Sequence, residues 1–120
     1  MGLFKRKAEK PRSKAGMDAA TLSLMQQRGA NLAMRRNVRH YLYGAAESEV
    51  QGAAATLRTR GYSVEVSPAA TGSGFLALAE RVEIVDEGSV AAARHEFEAL
   101  SAGLAGGDYD GWEAGITPAP

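Results

Sequence analysis

The residues of this chain with the most chemistry in the least space lie near its end, in Gly106-Gly107-Asp108-Tyr109-Asp110-Gly111-Trp112-Glu113. Three carboxylates, a phenol and the only indole of the chain are packed among glycines. A buried Trp or Tyr needs a partner for its N–H or O–H, and Asp108, Asp110 and Glu113 are acceptors within reach. Gly106-Gly107 reads as a helix stop and turn, and Gly111 as a second bend or a close approach. The block is either an aromatic anchor for a terminal strand or a recognition spot for a partner. Tyr109, Asp110, Gly111, Trp112 and Glu113 are its candidate contacts.

A second set could contact nucleic acid. Arg35, Arg39, Tyr41, Tyr43 and Phe75 interleave guanidinium groups with rings on two strand-like stretches. On an open sheet face, rings stack on bases and arginines meet phosphates. An RNA-recognition strand wants a basic residue and several aromatics, whereas Gly74-Phe75-Leu76-Ala77-Leu78 supplies one ring and no base. Catalytic chemistry finds little. Asp108 and Asp110 could share a metal, but no third ligand is fixed, and Asp beside Gly is common in turns. There is no phosphate loop, no nucleophile elbow and no pair of histidines at ligand spacing. We expect no catalytic residue, cofactor or metal, and no enzyme.

The elements that position these residues follow in chain order. Six basic residues, Lys5, Arg6, Lys7, Lys10, Arg12 and Lys14, oppose only Glu9 in residues 1–16, and every lysine of the chain is among them. Such a segment will not pack, so it reads as a disordered basic arm. Its role is solubility or weak RNA contact through phosphate neutralisation. Asp18 is placed to cap a leading helix carrying Leu22, Leu24 and Met25, stopped at Gly29 and packed on the domain outside its core. Residues 34–43 alternate as a strand, with Met34, Val38 and Leu42 facing the helices. His40 on that face reads as a hydrogen-bonded core residue.

A helix over about 46–60 has Val50, Ala54 and Leu57 inward, acids in its first turn and arginines in its last. Tyr62, Val64 and Val66 then mark a half-buried strand, and Phe75 to Val82 an inner one across a hairpin. A helix over about 89–104 has Val90, Ala93, Phe97, Leu100 and Leu104 on one face, with Arg94, His95, Glu96 and Glu98 mostly outward. A last strand runs from Tyr109 to about Thr117, and residues 118–120 are a frayed end.

Strand, helix, strand, strand, helix, strand, behind a leading helix, predicts an α+β fold. Two right-handed crossovers and a hairpin make it a ferredoxin-like βαββαβ sandwich with a four-stranded antiparallel sheet. A chain of 120 residues is one domain, here residues 17–117, able to bury about 65% of its unfolded surface. The absence of cysteine removes disulfides and thiolate metal sites and fits a reducing compartment. No apolar run approaches a membrane span, so we expect a cytoplasmic protein with no membrane contact.

The closing block resembles the end of the regulator of ribonuclease E activity B family. Arg28-Gly29, Arg36-Asn37-Val38-Arg39-His40-Tyr41-Leu42-Tyr43, Arg60-Gly61-Tyr62 and Gly74-Phe75-Leu76-Ala77-Leu78 fit in order over about residues 18–115. The resemblance implies a ferredoxin-like domain of bacterial RNA degradation that binds ribonuclease E and restrains it, without catalysis of its own.

Overall fold

The computed structural model describes residues 14–115. Its elements are α1 (Lys14–Gln27), β1 (Arg35–Gly44), α2 (Glu47–Thr59), β2 (Ser63–Pro68), β3 (Phe75–Ile84), α3 (Glu87–Ala102) and β4 (Asp108–Ala114). The four strands form one sheet in the order β2-β3-β1-β4, and every neighbouring pair is antiparallel. The fold is therefore α+β, with three helices and a four-stranded antiparallel sheet. Residues 1–13 of the basic arm and the end from 116 onward lie outside the described residues.

One face of the sheet is covered and carries a core in two halves. Leu42, Ala77 and Ala79 pack under Val50, Ala53 and Leu57 of α2 and Phe97 of α3, with Tyr62 and Tyr109 closing the cluster. Alanines at 77 and 79 let α2 approach the inner strand β3 closely. The second half gathers Val38, Val85, Val90 and Trp112 with Leu22 and Met25 of α1. The leading helix thus completes the core instead of resting outside it. Leu24 is turned to solvent.

Three local readings change. Asp18 is no N-cap, because α1 begins at Lys14 and places Asp18 in its second turn. Residues 14–16 of the expected arm are accordingly helical. Met34 precedes β1 in a turn closed by its own N–H to the Asn31 carbonyl, and it is exposed. The cap of α3 is Asp86, whose carboxylate accepts from the Ser89 N–H at 2.8 Å, so this helix starts two residues before the expected point.

Candidate protein-interaction site

The glycine-rich block is divided by a bulge. β1 pairs His40 with Trp112 and Leu42 with Tyr109, so Tyr41 faces two residues, Asp110 and Gly111. Gly111 takes up the extra residue at φ 103°, a region that side chains avoid. Tyr109 and Trp112 are three apart, and strict alternation would put them on opposite faces. The bulge resets the alternation, and both turn toward the helices. Tyr109 is 1% and Trp112 8% exposed.

Tyr109 and Trp112 each find a polar partner on a distant element. The Trp112 indole N–H donates to Asp18 Oδ1 at 3.0 Å. The same carboxylate takes two bonds from Arg94, Nε to Oδ2 at 2.6 Å and Nη2 to Oδ1 at 2.9 Å. Arg94, expected to point outward, is instead clamped in the α1–α3 seam with its guanidinium 4.8 Å from the Tyr109 ring centroid. Asp18 and Glu98, by hydrogen bond and charge, hold Arg94 protonated against the opposing effect of burial.

His40 is 2% exposed and doubly bonded, a core residue as its position implies. Its Nε2 lies 3.0 Å from Glu83 Oε2 and its Nδ1 2.8 Å from Tyr109 Oη. An ionised carboxylate only accepts, so Nε2 carries its proton toward Glu83, and Nδ1 meets the Tyr109 hydroxyl. Phe97 stacks on both the His40 and the Tyr109 ring, with centroids 4.4 and 4.9 Å away, and those two rings are 6.0 Å apart. Burial pushes the Tyr109 phenol far up, which keeps it a hydrogen-bond donor.

Among the described residues, the other face of the sheet has no helix over it. Arg35, Asn37, Arg39, Tyr41 and Tyr43 of β1 stand opposite Ile84, Val82, Glu80, Leu78 and Leu76 of β3. Phe75 does not belong to this row. It pairs with Gly44 on the helix-covered side and packs against the core, one register step from the open face. The arginines here are not free for phosphates. Arg39 Nε donates to Glu80 Oε2 at 2.5 Å, and its Nη1 lies 3.8 Å from Glu113 Oε2. Tyr41 Oη donates to that Glu113 oxygen at 2.6 Å. Arg35 Nη2 reaches the Val82 carbonyl at 3.4 Å. Val82 and Ile84 are the exposed large apolar residues at one end of this face, 41% and 36% exposed. At its β1–β4 margin, Asn37, Arg39, Glu113, Ala114 and Gly115 line a shallow recess of about 360 Å³.

Of the candidate contacts, then, Tyr109 and Trp112 belong to the core, while Glu113 lines the open-face recess. Sequence reading missed Asp18, Arg94 and Glu83 as partners of the buried rings. An acid in the leading helix facing a lone indole was the available signal. Among the described residues, no three His, Cys, Asp or Glu side chains could hold a metal ion. No helix there is long and apolar enough to cross a membrane.

The bulged Tyr-Asp-Gly-Trp strand following a five-residue connection is the end of a match that spans the domain. The family model of RraB, the regulator of ribonuclease activity B, matches residues 16–114. The chain belongs to this family. No curated relative matches it. The RraB match begins within α1 and ends at the last residue of β4, so the Asp18–Arg94–Trp112 seam and the open face both lie inside it.

Proposed function

We propose that this RraB-family chain is a non-enzymatic regulator that binds ribonuclease E or a related nuclease and limits its access to RNA. The match over residues 16–114 is the observation that carries the reading. Such a role places it in the bacterial cytoplasm. The order β2-β3-β1-β4, with α2 and α3 on one face, supports a ferredoxin-like split βαβ arrangement, which leaves the opposite face for a partner.

The contact surface we assign is that open face. Exposed Val82 and Ile84 supply an apolar anchor, and Arg39, Glu80 and Glu113 supply a charged border that fixes register. RNA is the poorer occupant. Arg39 is already paired with two carboxylates, and half-buried Phe75 packs against the core on the opposite face, so the open face offers neither an unpaired cationic row nor that ring for stacking.

The test is capture of purified ribonuclease E by the full chain, with nuclease activity read in parallel. Val82→Asp and Ile84→Asp sit on exposed positions and should leave the fold intact while weakening capture by about tenfold or more, ~1.4 kcal/mol or above. Capture and inhibition undiminished in both variants would remove the open face from the reading. No capture by the unmodified chain would remove the nuclease itself.

A further inference from the structure

The seam between α1 and α3 is not filled along its length. The two helices run antiparallel there, since Asp18 meets Arg94 while Leu22 joins Val90 in the core. Ala19 and Ala91, too short to close the gap, leave a groove of about 490 Å³ floored by these alanines with Leu22 and Val90. Asp18 and Arg94 neutralise one another within it. Glu87 and Glu98 stand at its two ends, eleven residues apart on α3 or roughly 16 Å at helical rise; the Glu98 side chain is 44% exposed and shares Arg94 with Asp18 at 3.0 Å, so two carboxylates meet one guanidinium and negative charge is left over.

An occupant for this groove needs a small apolar anchor followed by basic residues. The chain carries that pattern directly upstream of α1. Leu3 and Phe4 precede Lys5, Arg6, Lys7, Lys10 and Arg12, opposed only by Glu9. We propose that the α1–α3 groove is the docking site of the chain's own N-terminal segment, with Leu3 and Phe4 on the alanine floor and the basic residues against Glu87 and Glu98.

Reach and charge both support it. In the antiparallel pairing, Lys14 at the start of α1 lies at the Glu98 end of the groove, and Asp18 is about 6 Å further along the helix. Leu3 and Phe4 are about ten residues before Lys14, a span of up to ~33 Å, which allows the segment to turn back along the seam. Residues 17–120 carry eight arginines against thirteen acids, so the attraction is not cancelled by the domain as a whole. Tethering also raises the local concentration of the segment to the order of mM, so even weak intrinsic affinity gives substantial occupancy. The contact shields the basic residues from RNA until another ligand competes for them.

The chain has no cysteine, so one introduced at Gly2 gives a single site for a nitroxide on the full-length protein. In dilute solution the amide signals of Ala19, Leu22, Ala91 and His95 should lose most of their intensity, and those of β2 on the far edge should keep theirs. Glu87→Lys with Glu98→Lys should restore the lost signals, as should raising salt from 0.1 to 1 M, which shortens the screening length from ~10 to ~3 Å. Phe4→Ser should do the same without changing charge. Uniform broadening, or none, would overturn the proposal. So would broadening that appears only when labelled chains are mixed with an isotope-enriched second copy, since the occupant would then be another molecule. None of these outcomes involves the nuclease, so the result stands apart from the regulatory reading.

Discussion

Trp112 on the last strand and Asp18 in the first helix share a hydrogen bond of 3.0 Å across 94 residues of chain. Arg94 completes the arrangement by holding both oxygens of the same carboxylate. One acid therefore satisfies an indole and a guanidinium that are both turned away from water. The leading helix is tied to the sheet through it. Trp112→Ala should cost about 3–5 kcal/mol, as removal of a large core ring does. Trp112→Phe retains most of the packing but strips Asp18 of one donor, for a loss of about 1–3 kcal/mol. Chemical denaturation of both variants checks this, and native stability in the alanine variant would contradict the anchoring role.

Asp18→Ala removes the acceptor from two donors at once. The Asp18 and Arg94 side chains are 12% and 13% exposed, so the pair is mostly, though not wholly, desolvated. Breaking it should cost about 2–4 kcal/mol, toward the lower end of what a fully buried pair shows. Asp18→Leu combined with Arg94→Met should recover much of that loss, because neither charge is then left stranded. Thermal melts of the single and double variants decide the point.

Two glycines should tolerate nothing larger, for different reasons. Gly111 has φ 103°, and a side chain there costs about 1–2 kcal/mol or more while pressing the bulge back toward a regular strand. Gly107 lies so close to the end of α3 that an added Cβ would fall 2.0 Å from the Ser101 carbonyl oxygen. Gly107→Ala must therefore displace the turn before β4. Amide exchange should show β4 losing protection in both variants and β2 keeping it.

The alkaline limit of stability rests on phenols. Burial, reinforced by the bond to and charge of Glu113, pushes Tyr41 up to about 12 from its ordinary 10.0. Burial also raises Tyr62 to about 12, with the Glu83 charge adding to it. A raised phenol pKa means that the folded state favours the proton. The stabilisation is therefore complete below about pH 10 and is lost as pH rises toward and through 12. Melting temperature should fall over that window, and absorbance at the phenolate band should lag behind that of free tyrosine. Tyr41→Phe should soften the fall.

Acid acts at the other end through Asp86. Its carboxylate lies below the ordinary carboxylate range because the Ser89 N–H bonds to the charged form. A depressed pKa contributes stability above the unfolded value and loses it as pH falls through the folded one. Asp86→Ala should cost about 1 kcal/mol at neutral pH and less in acid, as for a capping residue. An equal loss at pH 7 and well below the carboxylate range would rule out the cap as the cause.

The order of elements, the inner stripes of Val50, Ala54 and Leu57 and of Val90, Ala93 and Phe97, and the core placement of His40 were determined by the sequence itself. Each depends on local periodicity, which is written into consecutive residues. Tertiary structure decided the rest. Phe75 alternates with Leu76 whichever face is inward; the packing of α2 on small Ala77 and Ala79 settled that Phe75 lies on the covered side. Tyr109 and Trp112 have opposite parity in the sequence, and only the bulge at Asp110 and Gly111 lets both face the core. Asp18, Arg94 and Glu83 read as ordinary surface charges until the fold brings them to Trp112 and His40. Pairing of buried polar groups depends on which distant donors and acceptors meet once water is gone, and no local spacing encodes that.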